Sequence, residues 1–380
     1  MNDNLKNKVL VIVTIIFLFG TVIINLCAED GTVSIAERRN LKQLPTFSLE
    51  KIKNIEDFDK EVENFTGNFE KYTLDQFVGR DTYRKLKSIT TFYIFNQSDN
   101  NDIYIADGHV SKYFDKLEEA QVKGATTKFN KLYDKFLNNM NVYYSIIPDK
   151  NYFIAEKNGY PSIDYKKLEE MITTNMNPNM QYINIFGDLT IDDYYKTDIH
   201  WRQEKIEKIA NKLSAVMGFD TYSNYTENKK DGFYGVYYGQ SSLPINSEEL
   251  IYYTADIFDG VTVKVLNEKT MQYEEQEMYN IEGFNGIDPY DIYLHGAKAA
   301  ITIENENATS DKELIIFRDS FGSSLVPLLV NGYKKITVLD LRYIATPLLT
   351  EEIVEFKDGQ DVLIMNYVEV LNSSSILKVF

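Results

Sequence analysis

Four short runs constrain this chain most: Val142–Ile147 (VYYSII), Glu313–Phe317 (ELIIF), Ile336–Leu341 (ITVLDL) and Asp361–Met365 (DVLIM). Each is apolar almost end to end, as strands buried on both faces are, and each ends in turn or polar residues. Between them lie stretches with helical spacing. In Trp201–Met217 the residues Ile206, Ile209, Leu213 and Val216 recur on one face, and Gly218 follows as a stop. Strands alternating with helices imply an α/β fold, a parallel sheet flanked by helices.

The same pattern extends N-terminally from about residue 88. Thr90–Phe95 (TTFYIF) and Ile103–Ile105 read as short strands, Ser111–Leu137 and Tyr165–Thr174 as helices, and Tyr182–Ile185 as a further strand. Residues 219–300 are harder to read. Strand-like pieces such as Ile251–Tyr253 and Val261–Val265 alternate with Gly and Tyr, which suits an insertion shaping a substrate groove. The expected division is 1–28, 29–87 and 88–380, with the last holding the α/β domain.

The first of these segments is an apolar run from Val9 to Leu26 behind Lys6 and Lys8. It is about the length that crosses a bilayer as a helix, and the lysines predict an N-in orientation. An uncleaved signal anchor is the preferred reading. A cleaved signal, or a lipoprotein acylated at Cys27, would equally place the rest outside the cytoplasm. Residues 29 to about 60 read as a polar spacer, and Phe58–Tyr83 as short helices.

The formal net charge is −17, which argues against nucleic acid as a partner. Cys27 is the only cysteine and there are three histidines, His109, His200 and His295. No disulfide framework or thiolate site can form, three histidines argue against a His-rich metal centre, a carboxylate-rich Mg²⁺ or Ca²⁺ site stays open though no EF-hand spacing is present, and no cofactor is expected.

Two motifs carry chemistry. In Thr197-Asp198-Ile199-His200-Trp201, Asp198 and His200 are two apart, so both can lie on one side of an extended segment. A carboxylate so placed can orient an imidazole as a general base. Asp198 could instead cap the helix expected from Trp201. In Arg318-Asp319-Ser320-Phe321-Gly322, a buried strand delivers Ser320 to a tight turn at a helix start, where main-chain N–H groups can hold an oxyanion. The G-x-S-x-G elbow pattern is absent, and Ser320 or Asp319 could be an ordinary N-cap. Together the motifs supply a base, its orienter and a nucleophile.

On these residues the chain resembles the DHHW proteins and the alginate O-acetyltransferase proteins of the AlgX and AlgJ type. Supporting matches are Glu37-Arg38-Arg39-Asn40-Leu41 with Pro45, Asp75-Gln76-Phe77-Val78-Gly79-Arg80, and Pro148-Asp149-Lys150. Ile199 departs from the second position of the name-giving motif, with its side chain expected to point away from the pair. The resemblance implies a circularly permuted SGNH-hydrolase-like domain, with Asp and His preceding Ser in the chain. It implies Ser320 as nucleophile, His200 as base and Asp198 as orienter of an O-acetyltransferase with an acetyl-serine intermediate. The acceptor would be a cell-surface or exported polysaccharide, and the acetyl donor would come through a membrane-bound O-acyltransferase partner. A carbohydrate or lipid acetylesterase would use the same three residues. A non-catalytic envelope binding or assembly module would keep the fold, and would be favoured if Ser320 and His200 lie too far apart to be bridged by a small side-chain movement.

Further candidates are Gly296 and Asn366 as oxyanion donors, each with a turn as the plainer role. Arg318, Arg342 and Lys150 are candidates for binding an anionic group. Trp201 belongs to the core or to the site.

Overall fold

The apolar runs form the middle of one sheet. The structure, a computed structural model, describes residues 3–380. It divides into two compact units, Met1–Gln97 with Gly239–Pro244, and Ser98–Tyr238 with Ile245–Phe380.

In the first unit, helix α1 (Asp3–Cys27) contains an apolar stretch, Leu5–Cys27, long enough to cross a membrane. Helices α2 (Ile55–Asp75) and α3 (Arg80–Ile89) follow. The expected spacer is pinned. Arg39 makes a two-pronged contact with Asp75 at 2.7 and 2.5 Å, and Glu37 pairs with Arg80 and Arg84. The Arg39 guanidinium holds the Asp75 carboxyl well below the usual carboxylate range. The strand expected at Thr90–Phe95 is not one, because Thr90–Ile94 continues α3 as a wider helical turn, leaving Tyr93, Ile94 and Phe95 exposed. A six-residue run of aromatic and β-branched residues suits either state, and here no neighbouring strand pairs with it. The first unit therefore reaches Gln97 rather than ending at residue 87.

The second unit is built on an eight-stranded sheet. Its strands are β1 (Asn141–Ile147), β2 (Gln181–Tyr182), β3 (Val261–Asn267), β4 (Gln272–Gln276), β5 (Ala300–Asn305), β6 (Glu313–Arg318), β7 (Lys335–Leu339) and β8 (Asp361–Tyr367), in spatial order β4-β3-β5-β7-β6-β8-β1-β2. The five strands from β7 to β2 are parallel. The β3–β5 edge is antiparallel, which the expected parallel sheet did not include. Part of the 219–300 segment is thus not an insertion, since it supplies β3 and β4.

Helices α4 (Glu119–Leu132), α5 (Tyr165–Asn175) and α6 (Glu207–Met217) pack on the sheet through buried stripes such as Ile209, Leu213 and Met217. Gly218 ends α6 at φ +70°, as expected. The helix does not begin at Trp201. Trp201 bridges to Tyr194, and a single 3₁₀ turn at Gln203–Lys205 intervenes.

Candidate active site

Ser320 stands just beyond the C-terminal end of β6, a parallel strand inside the sheet, where open α/β sheets place their sites. The turn is shaped by Asp319. One of its oxygens accepts the Phe321 N–H at 3.0 Å, and the other accepts the Tyr367 N–H at the end of β8 at 2.6 Å. Burial pushes the Asp319 carboxyl up. The helix behind the turn is short, Gly322–Leu325, and Pro327 lies just beyond it in a 3₁₀ turn.

His200 approaches from a loop 120 residues earlier, and its Nε2 lies 2.8 Å from Ser320 Oγ. Its Nδ1 lies 2.6 Å from Asp198 Oδ1, which also accepts the His200 main-chain N–H at 3.0 Å. The second Asp198 oxygen accepts the Val236 N–H at 2.9 Å. The three side chains therefore form one hydrogen-bonded row. Asp198 is fully buried, His200 nearly so, and Ser320 remains half-buried, open to an incoming group. This is the geometry of a base–orienter pair set against a nucleophile. Asp198 caps no helix, because α6 starts at Glu207.

The loop bearing the pair is gripped from several directions. Glu248 accepts the Lys196 and Thr197 N–H groups and the Thr197 hydroxyl at 2.8–3.0 Å. The Lys150 ammonium donates to the Lys196 and Val110 carbonyls at 3.0 and 2.8 Å. Gly235 donates its N–H to Thr197 Oγ1, and a Cβ there would lie 2.2 Å from the Thr197 carbonyl oxygen, so only glycine fits. The Tyr290 ring lies flat on the imidazole, with centroids 3.9 Å apart and planes 7° apart. Its hydroxyl donates to Ser324 Oγ at 2.7 Å.

Trp201 belongs to both core and site. It is fully buried, and its Nε1–H donates to the Phe321 carbonyl and to Ser324 Oγ, both at 3.0 Å, beneath the Ser320 turn. Ile199 packs against an apolar cluster that includes Val110 and Tyr237.

The remaining candidates are not brought to Ser320. The Gly296 N–H donates to the Tyr293 carbonyl, so it serves a turn rather than an oxyanion. Asn366 lines a small cavity with Thr126, Ser145 and Leu371, and no hydrogen bond links it to the triad. Arg318 is fully buried. It donates to the Gly296 and Asp319 carbonyls and lies 3.8 Å from Asp340, so it is not available to an anionic substrate. Arg342 is committed to Asp340 in a two-pronged pair, and Lys150 is buried.

The local oxyanion donors are also fewer than the turn suggested. The Phe321, Gly322 and Ser323 N–H groups are used within the turn, leaving the Ser320 N–H as the one there without a protein partner among the described residues. Among the described residues, no group of three or more His, Cys, Asp or Glu is placed to hold a metal ion.

Sequence reasoning missed Glu248, Gly235, Val236 and Tyr290. Only Tyr290 and Glu248 act through side chains, and neither lies in a recognisable pattern.

Comparison with known proteins agrees with this architecture. The family model described as DHHW protein matches residues 129–339, which include both motifs. No curated protein matches the chain. A DHHW family protein from Eubacterium siraeum is similar over 73% of this chain and 95% of its own, at 17% identity and a TM-score of 0.58. PatB1 from Bacillus cereus is similar over 72% of this chain and 97% of its own, at 21% identity and a TM-score of 0.55. The structure of PatB1 with a sulfonyl adduct has the same coverage, 22% identity and a TM-score of 0.54. At such identities the likeness is one of fold, and that fold is SGNH-hydrolase-like, with Asp198 and His200 preceding Ser320 in the permuted order. The family match spans more than half of the sequence, and the chain belongs to the DHHW protein family.

Proposed function

We propose that this chain is an extracytoplasmic serine O-acetyltransferase, held at the membrane by α1, that acetylates a cell-surface or exported polysaccharide. The hydrogen-bonded row Asp198–His200–Ser320 carries the reading. Ser320 Oγ attacks the acetyl carbonyl carbon while its proton passes to His200 Nε2. The donor's leaving oxygen departs with that proton, and acetyl-Ser320 remains. An acceptor hydroxyl then attacks, gives its proton to Nε2, and the proton returns to Ser320 Oγ. Asp198 holds the ring and offsets the positive charge that forms on it. The Ser320 N–H, without a protein partner among the described residues, is the local donor for the oxyanion. In this reading a membrane-bound O-acyltransferase delivers the acetyl group. Ser320 and His200 lying too far apart would have favoured a non-catalytic module, and they are 2.8 Å apart.

The test incubates the full chain in detergent with 4-nitrophenyl acetate, with and without polysaccharide acceptors, beside Ser320→Ala. The expected result is acetylated polysaccharide from the parent alone. Release of acetate only, across acceptors, would make it an esterase, and no acetyl turnover would remove the enzyme reading.

A further inference from the structure

A polar groove in the second unit does not lie over Ser320 but along the same rim of the sheet. It encloses about 470 Å³, within the range of small-molecule sites. The sheet register fixes its place. Val265 of β3 pairs with Ile301 of β5, and Ala300 of β5 pairs with Leu339 at the C-terminal end of β7. Strand β7 runs parallel to β6, which ends at the nucleophile turn. The tip of the β3–β4 hairpin, the loop before β5 and the segment after β7 therefore gather at the end where Ser320 emerges. Strand β3 stands three spacings from β6, about 14 Å.

The chemistry of the lining is specific. The hairpin contributes Asn267, Glu268, Lys269, Glu274 and Gln276, and the loop before β5 contributes Lys298. Two carboxylates and two ammonium groups balance, so the groove attracts neither an anion nor a cation strongly. Its amides and charged ends offer many donors and acceptors. At its edge stands Tyr343, 45% exposed, an aromatic face suited to an amphipathic ligand.

The groove is also mechanically joined to the nucleophile turn. Leu294, His295 and Gly296 are consecutive residues at φ 47°, 60° and 76°. Two of them are not glycine, and such strain persists only where the surroundings enforce it. Buried Arg318 does so by donating to the Gly296 carbonyl at 3.0 Å, and it also donates to the Asp319 carbonyl beside Ser320.

From this we infer that the groove is an acceptor subsite for an uncharged saccharide. It holds sugar units neighbouring the one whose hydroxyl meets acetyl-Ser320. The inference rests on the transferase reading and narrows it, because a balanced groove has no preference for a polyuronate such as alginate.

The test uses the full chain carrying Ser320→Ala, in detergent micelles, titrated calorimetrically with cellotetraose, maltotetraose, chitotetraose and tetragalacturonate. At least one neutral tetrasaccharide is expected to bind. Adding Tyr343→Ala or Gln276→Ala should weaken it at least 10-fold, while tetragalacturonate should bind no more tightly than the neutral ligand. Thermal denaturation verifies that each variant is folded, and Gln276 lies on an exposed edge strand. No neutral binding, binding indifferent to both substitutions, or tighter binding of the uronate overturns the inference. Because Ser320→Ala performs no chemistry, glycan binding without acetylation in the parent would count against the transferase reading alone. Acetylation without glycan binding would count against the groove alone.

Discussion

The turn that carries Ser320 and the loop that carries His200 meet at 2.8 Å but are held in different ways. The Ser320 turn is largely local. A buried strand ends, Asp319 accepts the N–H two residues on, and contacts with Tyr367 of β8 and with Trp201 complete it. The His200 loop has no strand or helix of its own. It depends on Glu248, 51 residues away, on Val236 and Gly235, 38 residues away, and on Lys150, 46 residues away. Ser320 is placed largely by secondary structure, whereas His200 is placed by tertiary hydrogen bonds. The two halves of the site should therefore fail differently.

The largest expected effect is inside the loop. In Asp198→Asn the amide cannot hold the imidazole in the productive tautomer, and acylation by 4-nitrophenyl acetate should fall on the order of 10⁴-fold. A fall of less than about tenfold would mean that Asp198 only shapes the loop.

The next substitution tests the dependence on distant contacts. Glu248→Ala removes three hydrogen bonds to Lys196 and Thr197 without touching Asp198, His200 or Ser320. A shift of about 1 Å in a reacting group costs about 100-fold, so kcat should drop by about that much with KM little changed. An unchanged kcat in a folded variant would show that the loop holds its shape by itself, erasing the contrast with the Ser320 turn.

The smallest effect concerns pH. Burial pushes the Lys150 ammonium down to about 7 from its ordinary 10.5, with Asp198 and Glu248 opposing the shift. Between those values the unfolded chain holds a proton that the folded chain lacks, so this group's contribution to stability rises as the pH increases from about 7 to about 10.5. Lys150→Met removes that contribution. Denaturant unfolding of both proteins across this window should show the difference moving in favour of the parent with rising pH, and a constant difference would place Lys150 in contact with water.

The same contrast explains what could be read from the sequence. Strands β1, β6, β7 and β8 are legible because strands buried on both faces need uninterrupted apolar residues, as Val142–Ile147 and Asp361–Met365 have. The β3–β4 edge was obscure because Gln272–Gln276 is largely exposed and carries no such run. Thr90–Phe95 misled because its composition suits a strand while its position continues a helix. In the site, Asp198, His200 and Ser320 stand out as residue types in short motifs. The groups that hold them do not, since Val236 acts through its main-chain N–H, Gly235 through lacking a side chain, and Tyr290 by stacking across 90 residues of chain. Gly296 and Arg318 were candidates by residue type, but the fold uses each to secure the loop beside the groove.

The central claim is that His200, oriented by Asp198, activates Ser320, and covalent labelling reaches it most directly. The full chain in detergent would be treated with phenylmethylsulfonyl fluoride, and the adduct followed by intact mass and located by peptide mapping, beside His200→Ala. The account predicts one sulfonyl group on Ser320 in the parent and labelling at least 100-fold slower in the variant. A parent that stays unlabelled, is labelled at another residue, or reacts as fast without His200 would contradict it.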